Sequence, residues 1–261
     1  MTDRVRVEKD GAIGWVIFDH PERLNAVTQN MWLQLGEALE QFEHDDAIRV
    51  VVLRGAGDKA FVSGADISKF SHNRRNAAEV EASNRLTGAA RQKLATYAKP
   101  TIAMINGYCI GGGLAIALSC DLRIAAEGSS FGIPAAKLGV GYAPQSVGML
   151  QDLVGPAFTR EILFTGRRFD GEEALRMGLI NRLVPKEQLE SCLRDYTATI
   201  GNNAPLSIQA AKLTSAELLK NEDERDLRAA LQAVEACFNS QDYTEGRTAF
   251  MEKRKPVFKG R

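Results

Sequence analysis

The chain has 261 residues, 44% of them hydrophobic and 25% charged, and its 33 basic and 33 acidic residues cancel to a formal net charge of zero. That composition suits a globular protein of one large domain, or one domain with an appendage, and excludes the basic excess of a chain whose main partner is nucleic acid. No run of about 18 apolar residues marks a membrane span, and the charged start "MTDRVRVEKDG" does not read as a secretory signal.

The opening "VRVEKDGAIGWVIFD" alternates apolar and polar residues around Lys9-Asp10-Gly11, which predicts a hairpin. After "HPERLNA", Thr28 reads as a helix N-cap. Met31, Trp32, Leu35, Leu39 and Phe42 then recur at steps of three and four, an amphipathic helix. "IRVVVLRG" has the β-branched profile of a buried strand. "AFVSGADISKF" runs from an apolar pair through the turn Ser63-Gly64-Ala65 into a helix expected from Asp66. A polar helical stretch over residues 76–98 is stopped by Pro100. "TIAMI" is a second buried strand, "LAIALSC" a helix and "DLRIAA" a third strand. Strands alternating with helices imply an α/β architecture with parallel pairing.

The character changes after about Pro185, where no stretch reads as a strand. "APLSIQAAKLTSAELL" and "ERDLRAALQAVEACFNS" are amphipathic helices, and the chain closes on the basic "EKRKPVFKGR". The division is therefore a core over residues 1–200 and a helical region over 201–261. Such a region either packs on a neighbouring subunit or covers a face of its own domain. Cys109, Cys120, Cys192 and Cys237 are scattered, with no CxxC pair and no histidine at ligand spacing. They read as buried small hydrophobes in a reducing compartment, the cytoplasm, rather than as disulfides or a metal site.

The stretch "NGYCIGGGLAIALSCD" sets three glycines between a strand and a helix. The spacing fits neither GxGxxG, nor a GxxxxGK[ST] phosphate loop, nor a GxSxG nucleophile elbow. Glycines there serve close helix–strand packing, or they bring backbone N–H groups up to a developing oxyanion. The turn Ser63-Gly64-Ala65 is a second small-residue junction of strand and helix, so two backbone donors could meet at one oxygen.

"IAMINGYCIGGGLAIALSCDL" closely resembles the signature of the enoyl-CoA hydratase/isomerase (crotonase) family. The resemblance extends through "HPERLNA", "AFVSGADI", "FGIPAAKLGV", "FTGRRFDGEEALRMGLINRLVP" and "FMEKRKPVFKGR", nearly the whole chain. It implies a crotonase-type spiral of ββα units with a helical C-terminal region that oligomerises, giving a homotrimer or a dimer of trimers. It implies an acyl-CoA substrate whose thioester carbonyl lies between the N–H groups of Ala65 and Gly112. Coenzyme A enters as part of that substrate, and no separate cofactor is implied. Ala65, Asp66, Ile67 and Ser68 resemble the segment lining the adenine and pantetheine path, and Arg23 resembles the basic residue near the CoA phosphates, or is a solvated turn charge. Lys253, Arg254 and Lys255 add phosphate contacts or form a solvated end.

The pattern departs from the family at two positions. Hydration of a conjugated thioester needs a base for water and an acid for the α-carbon, and the family's hydratases use two glutamates. The matching positions here are Ala115 and Ala135, and an alanine transfers no proton. One reading is a hydratase/isomerase-type enzyme with other acid/base groups. Another is decarboxylation of a malonyl-type thioester, where loss of CO2 generates the enolate directly; "LGVGY" resembles the "LGVPY" of methylmalonyl-CoA decarboxylase and offers Tyr142 as a hydroxyl near the reacting carbon. A third is an acyl-CoA-binding protein without turnover. Asp66 either caps a helix or replaces a lost acid, and Gln145 and Ser146 either position water or start a helix. Asp121 reads as structural, and His20, His44 and His72 lack the partners of a triad.

Overall fold

The computed structural model describes residues 4–66 and 77–261. Strands β1 (Arg4–Asp10) and β2 (Ile13–Asp19) form the antiparallel hairpin, with Gly11 supplying the left-handed turn residue at φ +58°. Thr28 caps α1 (Gln29–Glu43), its hydroxyl accepting the Met31 N–H at 3.4 Å. The five periodic residues from Met31 to Phe42 are all buried.

From there the chain repeats one unit. Strands β3 (Val50–Gly55) and β4 (Ala60–Val62) precede α2 (Ala77–Ala95); β5 (Thr101–Ile105) and β6 (Tyr108–Ile110) precede α3 (Gly112–Leu118). Next, β7 (Leu122–Ala126) and β8 (Ser130–Gly132) precede a 3-10 turn (Pro134–Leu138) and α4 (Pro144–Thr165). In each unit the first strand joins a six-stranded sheet, β1-β2-β3-β5-β7-β10, and the second joins a four-stranded sheet, β4-β6-β8-β9. Strands β9 (Phe169–Asp170) and β10 (Arg182–Val184) complete the two sheets around α5 (Gly171–Arg176). This is the spiral of ββα units, and its strand pairs are parallel apart from β1–β2 and β8–β9.

The large sheet is buried on both faces, which explains its unbroken apolar strands. Val51, Leu53, Ala103, Ile105 and Ala125 face the main core with Phe61, Leu114 and Phe131. Their alternates Val50, Val52, Ile102, Ile124 and Ala126 face Leu189 and Leu193 of α6 (Leu189–Gly201). Helices α7 (Pro205–Leu218), α8 (Leu227–Phe238) and α9 (Gln241–Met251) follow, enclosing an open apolar cavity of about 1060 Å³ and exposing Leu231, Phe238 and Phe250. The Asp242 carboxylate ties down the last residues, accepting the Lys259 and Gly260 N–H groups, each at 2.7 Å.

Some expectations are adjusted. Helix α2 ends at Ala95, before Pro100, the strand expected ahead of Ser63 is β4, and the long α4 and short β6, β8, β9 and β10 had no clear pattern. The helix expected from Asp66, with Ile67, Ser68 and His72, lies outside the described residues. All four cysteines are free, but only Cys109 and Cys120 are buried; Cys192 and Cys237 are half-buried. No helix among the described residues is long and apolar enough to cross a membrane.

Candidate active site

One wall of the site begins in "HPERLNA". A 3-10 turn (Pro21–Arg23) leads into Leu24 and Asn25, both left-handed at φ +52° and +57°. Asparagine tolerates that region better than most residues, and here its buried amide does the anchoring. Its Oδ1 accepts the His20 N–H at 3.0 Å, while Nδ2 donates to the carbonyls of Ala56 and Ala60 at 2.9 and 2.8 Å. So pinned, the loop pairs with the chain leaving β4. Ser63 N–H donates to Leu24, Val27 N–H to Gly64 and Asp66 N–H to Val27, at 3.1, 2.8 and 3.1 Å. The bridge of Val27 with Ala65 thus uses the carbonyl before Ala65 and the N–H after it. Along extended chain these groups alternate sides, so the N–H of Ala65 points away from Val27. Arg23 is exposed beside this segment, its carbonyl accepting the Ser63 hydroxyl at 3.3 Å.

The glycine triplet supplies the facing backbone, and each member has its own reason. Gly111, whose N–H donates to Gly132 at 2.8 Å, takes φ +53° and ψ −113°, a conformation open to glycine. At Gly113 a Cβ would stand 2.0 Å from the Val62 carbonyl oxygen, so close packing of α3 on β4 requires glycine. At Gly112 a Cβ would meet only ordinary contacts, 3.5 Å from the Ala65 nitrogen and 3.7 Å from the Gly64 carbonyl carbon. Packing does not demand glycine there; a side chain would instead occupy the space between the two backbones. Gly112 opens α3, so its N–H has no partner within the helix.

Ala115 lies on α3, and Ala135 on the 3-10 turn that follows Gly132; each is 8% exposed. Val140 N–H donates to the Ala135 carbonyl at 3.0 Å, folding the chain back so that Tyr142 packs against the core that holds Ala135 and Leu114. Pro144 then starts α4, with Ser146 in its first turn, 6% exposed. Arg91 of α2 reaches this point: its Nη1 donates to the Ser146 hydroxyl at 2.6 Å and its Nε to the Thr87 carbonyl at 3.3 Å. Burial draws the Arg91 guanidinium below its usual range, with Tyr142 opposing, and pushes the Tyr142 phenol up, with Arg91 opposing. Sequence reasoning missed Arg91. Its one signal was its place beside Ala90 and Leu94, two buried apolar residues of a largely polar helix.

The remaining candidates stand apart. Asp121 accepts Thr101 N–H at 2.7 Å, the Thr101 hydroxyl at 3.0 Å and Lys212 Nζ at 2.8 Å, a structural knot. His20 is buried with Nδ1 3.2 Å from the Ala26 carbonyl oxygen, and His44 ends α1. Gln145 is exposed, as are Lys253 to Lys255, where Arg254 is paired with Glu245 and Glu252. Among the described residues no group of three His, Cys, Asp or Glu could hold a metal ion.

The family profile of enoyl-CoA hydratase/isomerase matches residues 8–261. Carnitinyl-CoA dehydratase of Escherichia coli K12 is 36% identical over 271 residues, covering 100% of both chains. The short-chain-enoyl-CoA hydratase of Clostridium acetobutylicum is 32% identical, covering 97% of this chain and 96% of its own. Among solved structures, an enoyl-CoA hydratase/carnithine racemase from Magnetospirillum magneticum superimposes with a TM-score of 0.95 at 36% identity, covering 100% of this chain and 97% of its own. The spiral with its two small-residue junctions thus defines a crotonase-fold protein. The chain belongs to the enoyl-CoA hydratase/isomerase family.

Proposed function

We propose that the protein is an acyl-CoA enzyme of lyase or isomerase type that works through a thioester enolate. The observation that carries this reading is the gap between Gly112 and Ala65: glycine is kept where packing would admit a methyl, 3.5 Å from the Ala65 nitrogen. A thioester oxygen fits that gap and accepts the N–H groups of Ala65 and Gly112. When an electron pair arrives at the α-carbon, charge moves onto this oxygen, and each donor there is worth about 3 kcal/mol. Arg23, Ala65 and Asp66, with Ile67 and Ser68 outside the described residues, carry the CoA moiety, and no separate cofactor is invoked. The helices over 201–261 join copies into a trimer or a dimer of trimers, working in the cytoplasm.

The relatives named for hydration and dehydration support water addition or removal across the α,β-bond. Ala115 and Ala135 mean that other groups then move the protons. Incubation with crotonyl-CoA, following loss of the conjugated thioester absorbance, tests this directly; hydration is expected. Gly112→Pro removes one donor at a first helical position, where proline is tolerated, and should abolish turnover. A folded Gly112→Pro enzyme with full activity would sink the assignment.

The two alanines favour a second reading, decarboxylation of a malonyl-type thioester. There the bond from the α-carbon to the carboxylate breaks, its electron pair forms the enolate, CO2 leaves, and the α-carbon is then protonated, with the Tyr142 hydroxyl as proton source. Acetyl-CoA formed from malonyl-CoA, and slowed by Tyr142→Phe, would select this reading. Tight binding of acyl-CoA with no product from any thioester would instead leave a binding protein.

A further inference from the structure

Among the described residues Arg91, like half-buried Arg49 and Arg54, meets no carboxylate, whereas other arginines do. Arg167 is held by Glu161 and Glu173, each at 2.7 Å, and Arg194 by Asp10 and Glu190, each at 2.9 Å. Arg123, buried, donates to the carbonyls of Ala117, Cys120, Asp121 and Leu179. Arg91 is half-buried, and among the described residues its acceptors are one hydroxyl and one carbonyl, with no carboxylate. A guanidinium has five N–H donors in a flat fork, so most of them remain for a ligand. Partial burial disfavours the charge, and an anion arriving with the substrate would offset that cost.

Its place is continuous with the proposed thioester site. Gly111 is bonded to Gly132, the chain runs on to Ala135, Val140 is bonded back to Ala135, and Tyr142 and Ser146 follow, the latter bonded to Arg91. We infer that Arg91, steadied by Ser146, seats a carboxylate on the acyl chain of the substrate, making this a carboxyacyl-CoA enzyme. The absence of glutamates at 115 and 135 suits such a chain, since no fixed negative charge repels it. An ion pair made equally in ground and transition states does not help release of the paired group. The carboxylate on Arg91 is therefore one that the reaction leaves in place. The inference rests on the reading that Ala65 and Gly112 seat a thioester, and not on which reaction follows.

Calorimetric titration of the full-length protein with matched saturated thioesters tests it: glutaryl-CoA against valeryl-CoA, and adipyl-CoA against hexanoyl-CoA. At one of the two lengths the carboxyacyl thioester should bind tighter by on the order of tenfold, as a charged hydrogen-bonded pair would give. Arg91→Met should bring the paired affinities together, and Arg91→Lys should keep part of the difference. Ser146→Ala, which removes the hydroxyl and keeps the charge, should shrink the ratio and so provides a second reading should Arg91→Met fold poorly. Equal binding of both classes by the unaltered protein, or a preference that survives Arg91→Met, overturns the inference while leaving the thioester site standing. Binding of no thioester of either class overturns both.

Discussion

The wall formed by Gly64, Ala65 and Gly111 to Gly113 offers backbone alone, whereas the wall formed by Arg91, Tyr142 and Ser146 offers side chains. Backbone donors come close to a ligand only where neighbouring residues are small, and they are held by pairings that the whole fold enforces, such as Val27 with Ala65 and Gly111 with Gly132. Side chains reach across gaps and can be exchanged without moving a strand. On the function proposed above, the chemistry falls to the first wall and choice of acyl group to the second. Substitutions on each wall should therefore fail in different ways.

The largest effect is expected at Gly112. Gly112→Ala adds a methyl at ordinary contact distance, 3.5 Å from the Ala65 nitrogen, so melting temperature should barely change. The methyl fills the gap, and kcat on whichever thioester is turned over should fall about 100-fold or more. Its neighbour should behave oppositely. Gly113→Ala drives a methyl to 2.0 Å from the Val62 oxygen, and overpacking of this kind costs about 1–3 kcal/mol, read as a lower urea midpoint. Wild-type stability in Gly113→Ala would break the separation of roles within the triplet. The Arg91 substitutions come next, shifting the ratio of affinities by on the order of tenfold.

A further effect concerns the ground beneath the backbone wall and grows with pH. Cys109 of β6 and Cys120 beyond α3 are buried, and burial pushes the Cys120 thiol up from 9.0 to about 12. Unfolding releases a thiol that ionises above its ordinary value, while the folded protein keeps its proton. Stability from this source is therefore complete below pH 9.0 and is lost as pH rises towards about 12. The slope approaches about 1.4 kcal/mol per pH unit for each thiol. Urea midpoints taken upward from pH 9.0 should fall, and Cys120→Ala should flatten the decline. An unchanged slope in that variant would mean that another group titrates there.

Much of the scaffold was legible because it is periodic or locally capped. The hairpin about Gly11, α1 behind Thr28 and the buried strands β3, β5 and β7 each carry their pattern within a few residues. Strands β6, β8 and β9 do not, because two or three residues hold no period and their stability comes from partners far along the chain. Asn25 was hidden for the same reason: its amide joins carbonyls 31 and 35 residues away.

By itself the sequence determined the small residues at 64, 65 and 111 to 113, the two alanines at 115 and 135, and the alternation of buried strands and helices. These are properties of composition at a position and of local spacing. Only the tertiary structure decided that Ala65 would face Gly112, that Gly113 rather than Gly112 is the packing glycine, and that Arg91 would meet a serine 55 residues further on. Helical periodicity says which face of α2 turns inward, but what that face meets is set by how the turns of the spiral stack.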